Sequence, residues 1–122
     1  MATAARKPLR LELERRGDCA VLRLIGSAGI EQAQRIQERL EELAAQQAPL
    51  VVLDLGEMDF IASMGLGAMI AGHLKARRYN GEIRIARPQP AVMQLLETTR
   101  LTKLFPVFDS VEEAVQAPRA NG

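Results

Sequence analysis

Leu50-Val51-Val52-Leu53-Asp54-Leu55 is a nearly continuous apolar run of strand length, the pattern of a strand covered on both faces. After a loop around Gly56 to Asp59 comes Phe60-Ile61-Ala62-Ser63-Met64-Gly65-Leu66, and from there Leu66, Met69, Ile70, His73 and Leu74 recur at helical spacing. A central strand therefore feeds a helix, and Ser63 falls where that helix begins. Lys75, Arg77 and Arg78 occupy its last turns, where cations complement the negative end of the helix dipole, and Asn80-Gly81 supplies a left-handed stop.

Upstream, Leu9, Leu11 and Leu13 alternate with Arg10, Glu12 and Glu14, which predicts a strand over about 8–15 with one buried face. Arg16-Gly17-Asp18 supplies turn chemistry, and the apolar run Cys19 to Ile25 predicts a second strand closing an antiparallel hairpin. Gly26 and Gly29 break that pattern. Ile30, Ala33, Ile36, Leu40, Leu43 and Ala44 then form the apolar face of an amphipathic helix of about four turns, ended by Pro49.

Downstream, Ile83 and Ile85 alternate with Glu82, Arg84 and Arg87 as a short strand, and Pro90 opens a helix carrying Val92, Met93, Leu95 and Leu96. Leu101, Leu104 and Phe105 read as a packed turn, and Pro106 to Phe108 as a brief edge strand. Ser110-Val111-Glu112-Glu113 has the spacing of a capping box before a last helix through Val115. Strands alternating with helices after an opening hairpin predict a single α/β domain, with a mixed sheet of about five strands packed against about four helices. The expected boundaries are a flexible N-terminus at 1–7, the domain at 8–116 and a flexible tail at 117–122.

Composition narrows the function. With 122 residues the chain holds one core, and 16 Lys plus Arg against 15 Asp plus Glu leave no bulk field for nucleic acid or an anionic membrane. The basic residues among the first sixteen read as a solvated strand face. A single cysteine, Cys19, and a single histidine, His73, make a disulfide, a cysteine metal cluster or metal catalysis poor expectations, and no apolar run is long enough to span a bilayer. The expectation is a cytoplasmic protein without cofactors, catalytic residues or membrane insertion. Cys19 lies in a strand pattern and His73 in a helix pattern, so both read as structural.

The chemistry-bearing candidate is Ser63, a hydroxyl at a helix start among Ala62, Gly65, Gly67 and Ala68. Its simplest role is a helix cap, worth on the order of 1 kcal/mol. Small neighbours also let another protein approach, and a helix start stabilises anionic oxygens. Gly65-Leu66-Gly67 lacks the full glycine spacing and the Lys-Ser/Thr ending of a phosphate loop, and Met58, Met64 and Met69 read as core filler.

The stretch Val51-Val52-Leu53-Asp54-Leu55 through Phe60-Ile61-Ala62-Ser63-Met64-Gly65-Leu66-Gly67 resembles the signature segment of STAS domains of the anti-sigma factor antagonist family. Leu96-Glu97-Thr98-Thr99-Arg100-Leu101, Leu104-Phe105 and Asp109 to Ala114 are similar to that family's C-terminal portion, so the likeness spans about residues 9–115. It implies a non-enzymatic partner switch. The dephosphorylated protein would bind an anti-sigma factor that is also a serine kinase, freeing a sigma factor; phosphorylation at Ser63 would separate the two, and a serine phosphatase would reset them. Gly26, Ser27, Ala28, Gly29, Ala62, Ser63, Met64, Gly65 and Leu66 fall on regions that such proteins offer to the kinase, and a monomer or weak dimer is expected.

Three departures stand out. Ala62 occupies a position commonly acidic or hydroxylated, Gly26-Ser27-Ala28-Gly29 replaces a run that commonly carries acidic groups, and Arg100 stands where glycine is common. The alternative reading is a STAS scaffold or adaptor, in a signalling assembly or a lipid-transport complex, that is never phosphorylated. An enzyme is the weakest reading, because no Ser-His-acid set is evident.

Overall fold

The computed structural model describes residues 8–118. The expected N-terminal segment 1–7 and residues 119–122 of the expected tail lie outside the described residues. In chain order the strands are β1 (Arg10–Arg16), β2 (Cys19–Ala28), β3 (Leu50–Asp54), β4 (Met58–Ile61), β5 (Glu82–Ala86) and β6 (Val107–Phe108). The helices are α1 (Ala33–Ala45), α2 (Ser63–Arg78), α3 (Pro90–Thr98) and α4 (Val111–Gln116), with 3-10 turns at Ile30–Gln32 and Leu101–Lys103. The main sheet has the order β1-β2-β3-β5-β6, which makes the apolar β3 its middle strand. The hairpin pair β1-β2 is antiparallel and the remaining neighbours are parallel. This is the expected mixed α/β sheet.

Every residue of β3 is buried, because both sheet faces are covered. One face carries the larger core: Leu22, Leu24, Leu53 and Ile85 meet Ile36, Leu40 and Leu43 of α1 and Met69 of α2. Full burial of each such leucine or isoleucine contributes about 1.5–3 kcal/mol. The opposite face is narrower, with Cys19, Val21, Leu50, Val52 and Ala86 under Ala114 of α4. At Gly72 an added Cβ would lie 2.7 Å from the Leu40 side chain, so α1 and α2 approach closely only because this residue has none.

Several local signals act as read. The N–H groups of Asn80 and Gly81 bond the carbonyls of Arg77 and Ala76, closing α2 with Asn80 in the left-handed region. The Ser110 hydroxyl accepts a 3.0 Å bond from the Glu113 N–H, capping α4. Other expectations need correction. β2 does not stop at Ile25; a register shift between Gly26 and Ser27, with Gly26 at a positive φ of 101°, bends the strand and lets it continue to Ala28. The loop expected at Gly56 to Asp59 is partly β4, which pairs with that bent end. Leu9, just before β1, is buried and Leu11 half-buried as alternation predicts, but Leu13 on the same edge strand is 37% exposed. Arg84, expected among outward polar positions, is buried.

Candidate functional site

The start of α2 is fixed by β4. The Ala62 N–H bonds the Ala28 carbonyl at 2.8 Å, joining the helix start to the bent end of β2, where Ser27 is opposite Phe60 and Ala28 opposite Ile61. Ala62 itself is the capping residue, with extended backbone, and its carbonyl accepts from Gly65 and Leu66. Ser63 is thus the first helical residue and not the cap. Its side chain is exposed, and no capping bond holds the hydroxyl. The free N–H groups and positive end of a 16-residue helix lie beside it.

Apolar groups surround the hydroxyl. Met64 is 58% exposed and Ile30 64% exposed, each large and without cover. An open cavity of about 450 Å³ is bounded by Ile30, Phe60, Ala62, Ser63, Met64 and Leu95. Leu74 is as exposed, at 61%, but Ile30 and Met64 border one cavity together, and contiguous exposed apolar groups mark an interaction surface.

Of the sequence-predicted residues, Ser63 and Met64 are exposed, and Gly29 and Ala62 are half-buried. Gly26, Ser27, Ala28, Gly65 and Leu66 are buried. Their place is beneath the surface: an added Cβ on Gly65 would stand 2.7 Å from Ile61, so this glycine seats α2 against β4. Gly67, by contrast, is open, with nothing within 4 Å of an added Cβ. Ile30, Phe60, Leu95 and Asp59 join the site without a distinct signal in the sequence pattern. Periodicity assigns Ile30 to the apolar face of α1, but it lies in the 3-10 turn that precedes the helix and is 64% exposed. Asp59 accepts a 2.6 Å bond from the buried Ser27 hydroxyl, so an acidic group is present near the loop whose own residues carry none.

The STAS domain family profile matches residues 10–114. The chain belongs to the STAS domain family. The anti-sigma F factor antagonist of Paenibacillus polymyxa is 25% identical over 108 residues, covering 88% of this chain and 92% of that protein. BtrV of Bordetella bronchiseptica, proposed by its name as an anti-sigma factor antagonist, is 38% identical over 84 residues, covering 66% of this chain and 72% of the relative. Among solved structures, an anti-sigma factor antagonist from Mycobacterium paratuberculosis superposes with a TM-score of 0.80 at 22% identity, over 88% of this chain and 92% of that one.

On the opposite side of this STAS domain, the charges are paired. Asp54 ends β3 fully buried, and its carboxylate takes 2.9 and 3.1 Å bonds from Arg87, 3.3 Å from Arg23 and 3.0 Å from the Gly56 N–H. Burial pushes this carboxyl up, but the Arg87 and Gly56 bonds and the two guanidinium charges outweigh it and hold the group below the usual carboxylate range. Burial likewise pushes the Cys19 thiol up, which suits a core residue and not a nucleophile. His73 packs edge-on against Phe105 with centroids 5.5 Å apart, consistent with the structural role read from sequence. Among the described residues no group of His, Cys, Asp and Glu could hold a metal ion, and no helix is long and apolar enough to cross a membrane.

Proposed function

We propose that this STAS domain is an anti-sigma factor antagonist, a cytoplasmic protein-binding switch that works without catalysis of its own. In its hydroxyl form it binds an anti-sigma factor that is a serine kinase; phosphorylation of Ser63 releases it, and a serine phosphatase resets it. It acts as a monomer or weak dimer. The single observation that carries the reading is the exposed, uncapped Ser63 hydroxyl on the first turn of α2, ringed by Ile30, Ala62 and Met64.

Phosphate at Ser63 adds about −1.5 to −2 charges at the positive end of a long helix, where the fold accommodates it. The partner does not. An apolar surface pressed over Ile30 and Met64 would have to dehydrate that charge, and a penalty of ~3 kcal/mol weakens binding more than 100-fold.

The test is incubation with purified anti-sigma kinase and ATP, followed by intact mass and binding measurements. One phosphate on wild type, none on Ser63→Ala, and more than about 100-fold weaker binding by Ser63→Asp at unchanged melting temperature are expected. A Ser63→Asp protein that binds as tightly as wild type would overturn the switch. Tight binding without any phosphate transfer would instead favour an adaptor, a reading that draws on the non-acidic Ala62 and Gly26 to Gly29 segment.

A further inference from the structure

Three open cavities meet at the start of α2. The first, about 430 Å³, is bordered by Gly29, Ile30, Glu31 and Phe60; the second, about 450 Å³, holds Ser63. The third, about 610 Å³, runs between α1 and α2 over Gly67, with Glu38 and Glu41 on its wall. Ile30, Phe60 and Ala62 belong to the first two, and Met64 to the last two, so the three make one continuous surface.

Its charge has one sign. Among the described residues Glu31, Glu38 and Glu41 line it, and no lysine or arginine does. The chain could have neutralised these carboxylates as it does Glu42, which pairs with Arg39 at 3.4 Å in a groove that Glu38 and Arg35 also border. Instead the Gln34 and Gln37 amides donate to Glu38 and Glu41 at 3.0 and 3.1 Å. A neutral amide orients a carboxylate and leaves its charge in place. The Ser27 hydroxyl in the lining of the first cavity donates to Asp59, a further carboxylate next in sequence to Phe60. The centre is apolar and the rim acidic.

We propose that this surface docks a segment of a partner protein that presents an apolar row flanked by arginine or lysine side chains. The apolar row covers Ile30, Phe60 and Met64, and the cations meet Glu31, Glu38 and Glu41. The inference rests on the reading of the Ser63 face as the partner surface and adds the chemistry of what it recognises. Complementary charge at a rim sets specificity and association rate, and the apolar centre supplies affinity. Ser63 lies in that centre, where the docked segment brings no cation to a phosphate.

The probe is a synthetic amphipathic helix with a leucine face flanked by arginines, titrated into the isotopically labelled full chain and compared with the same peptide bearing glutamate for arginine. Expected are amide shifts confined to Ile30, Glu31, Met64, Gly67 and their neighbours, and binding at least about tenfold tighter for the arginine peptide at low salt. The Glu31→Gln, Glu38→Gln, Glu41→Gln triple variant should lose that preference while keeping its melting temperature. Equal affinity for both peptides, shifts mapping elsewhere, or a triple variant that behaves as wild type would overturn the proposal. A parallel arm with purified anti-sigma kinase separates the two readings. Release by Ser63→Asp with undiminished binding of the triple variant sinks the docking chemistry alone, and the reverse pattern sinks the Ser63 switch alone.

Discussion

The two faces of the sheet treat charge in opposite ways. On the α4 face both charged groups buried among the described residues, Arg84 and Asp54, find partners. Arg84, 1% exposed, donates to the carbonyls of Ala114, Ala117 and Pro118 at 2.7, 2.7 and 2.8 Å, and to Glu82 at 2.8 Å, while Phe108 lies under its guanidinium. Asp54 is held equally fully. On the side where α2 begins, the carboxylates of Glu31, Glu38 and Glu41 form no ion pair among the described residues, and Ile30 and Met64 are mostly exposed. The contrast separates two uses of polar residues. Charges that are satisfied inside the molecule fix its elements, and charges left unsatisfied outside remain free for another molecule.

The largest effect should come from emptying the paired side. Arg84→Met keeps the length of the side chain but strips the carbonyls of Ala114, Ala117 and Pro118 of their shared donor and removes the guanidinium that pairs with Glu82. A loss of about 3 kcal/mol in denaturant unfolding is expected, with α4 amides losing exchange protection first. A loss below about 1 kcal/mol would mean that Val111, Ala114 and Val115 alone hold the helix, and the contrast between faces would shrink to one of exposure.

Acid should act on the same side in a smaller and graded way. The Asp54 carboxyl titrates below its ordinary value of 3.8, so its contribution is present above that pH and is lost as pH falls through the lower folded value. Asp54→Asn, expected to cost about 2 kcal/mol near neutral pH, should flatten that part of the profile. His73 adds a separate limb. Burial, with some help from Arg77, holds it below its ordinary 6.5, so the unfolded chain takes up the proton first and stability falls as pH drops below 6.5. His73→Gln should remove this limb and leave the Asp54 limb intact.

Much of the paired side was illegible in the sequence, although the fold was not. Periodicity placed β3, α1 and α2 well, because apolar spacing reports burial directly. It failed at Arg84, because alternation with Ile83 and Ile85 marks a charged position as outward, and nothing local announces that three carbonyls at the end of α4, about thirty residues later, will meet it. It missed β4, whose four residues pair only with the bent end of β2. At the site, Ser63 was legible from position, whereas Ile30 was hidden in the apolar repeat of α1, Asp59 in a presumed loop, and Met64, read with Met58 and Met69 as core filler, is 58% exposed while those two are buried. A resemblance to known STAS domains supplied what periodicity could not, the role of the serine.

A smaller effect concerns Arg100, where the likeness departs from glycine. Its backbone is left-handed, φ 62° and ψ 22°, and it ends α3. A side chain in that region costs roughly 1–2 kcal/mol, partly offset by the lower backbone entropy of a non-glycine residue in the unfolded state. Arg100→Gly should therefore stabilise the chain by about 0.5–1 kcal/mol, read from the shift in denaturant midpoint at constant slope. Because the position belongs to neither charge system, binding at the α2 start should be unchanged.

The smallest expected change in stability is the one that most sharpens the contrast. Ile30 and Met64 are large apolar residues, and in a core their replacement by polar ones would cost several kcal/mol. Here they are mostly exposed, so Ile30→Ser and Met64→Gln should each move unfolding by less than about 0.5 kcal/mol. If these side chains exist to be covered by a partner, the same variants should weaken binding to the anti-sigma kinase by about tenfold or more, since hot spots cluster in the apolar centre of an interface. Equal losses in stability and in binding would show that the residues serve the fold, and the α2 face would then be no different in kind from the face that Arg84 and Asp54 hold together.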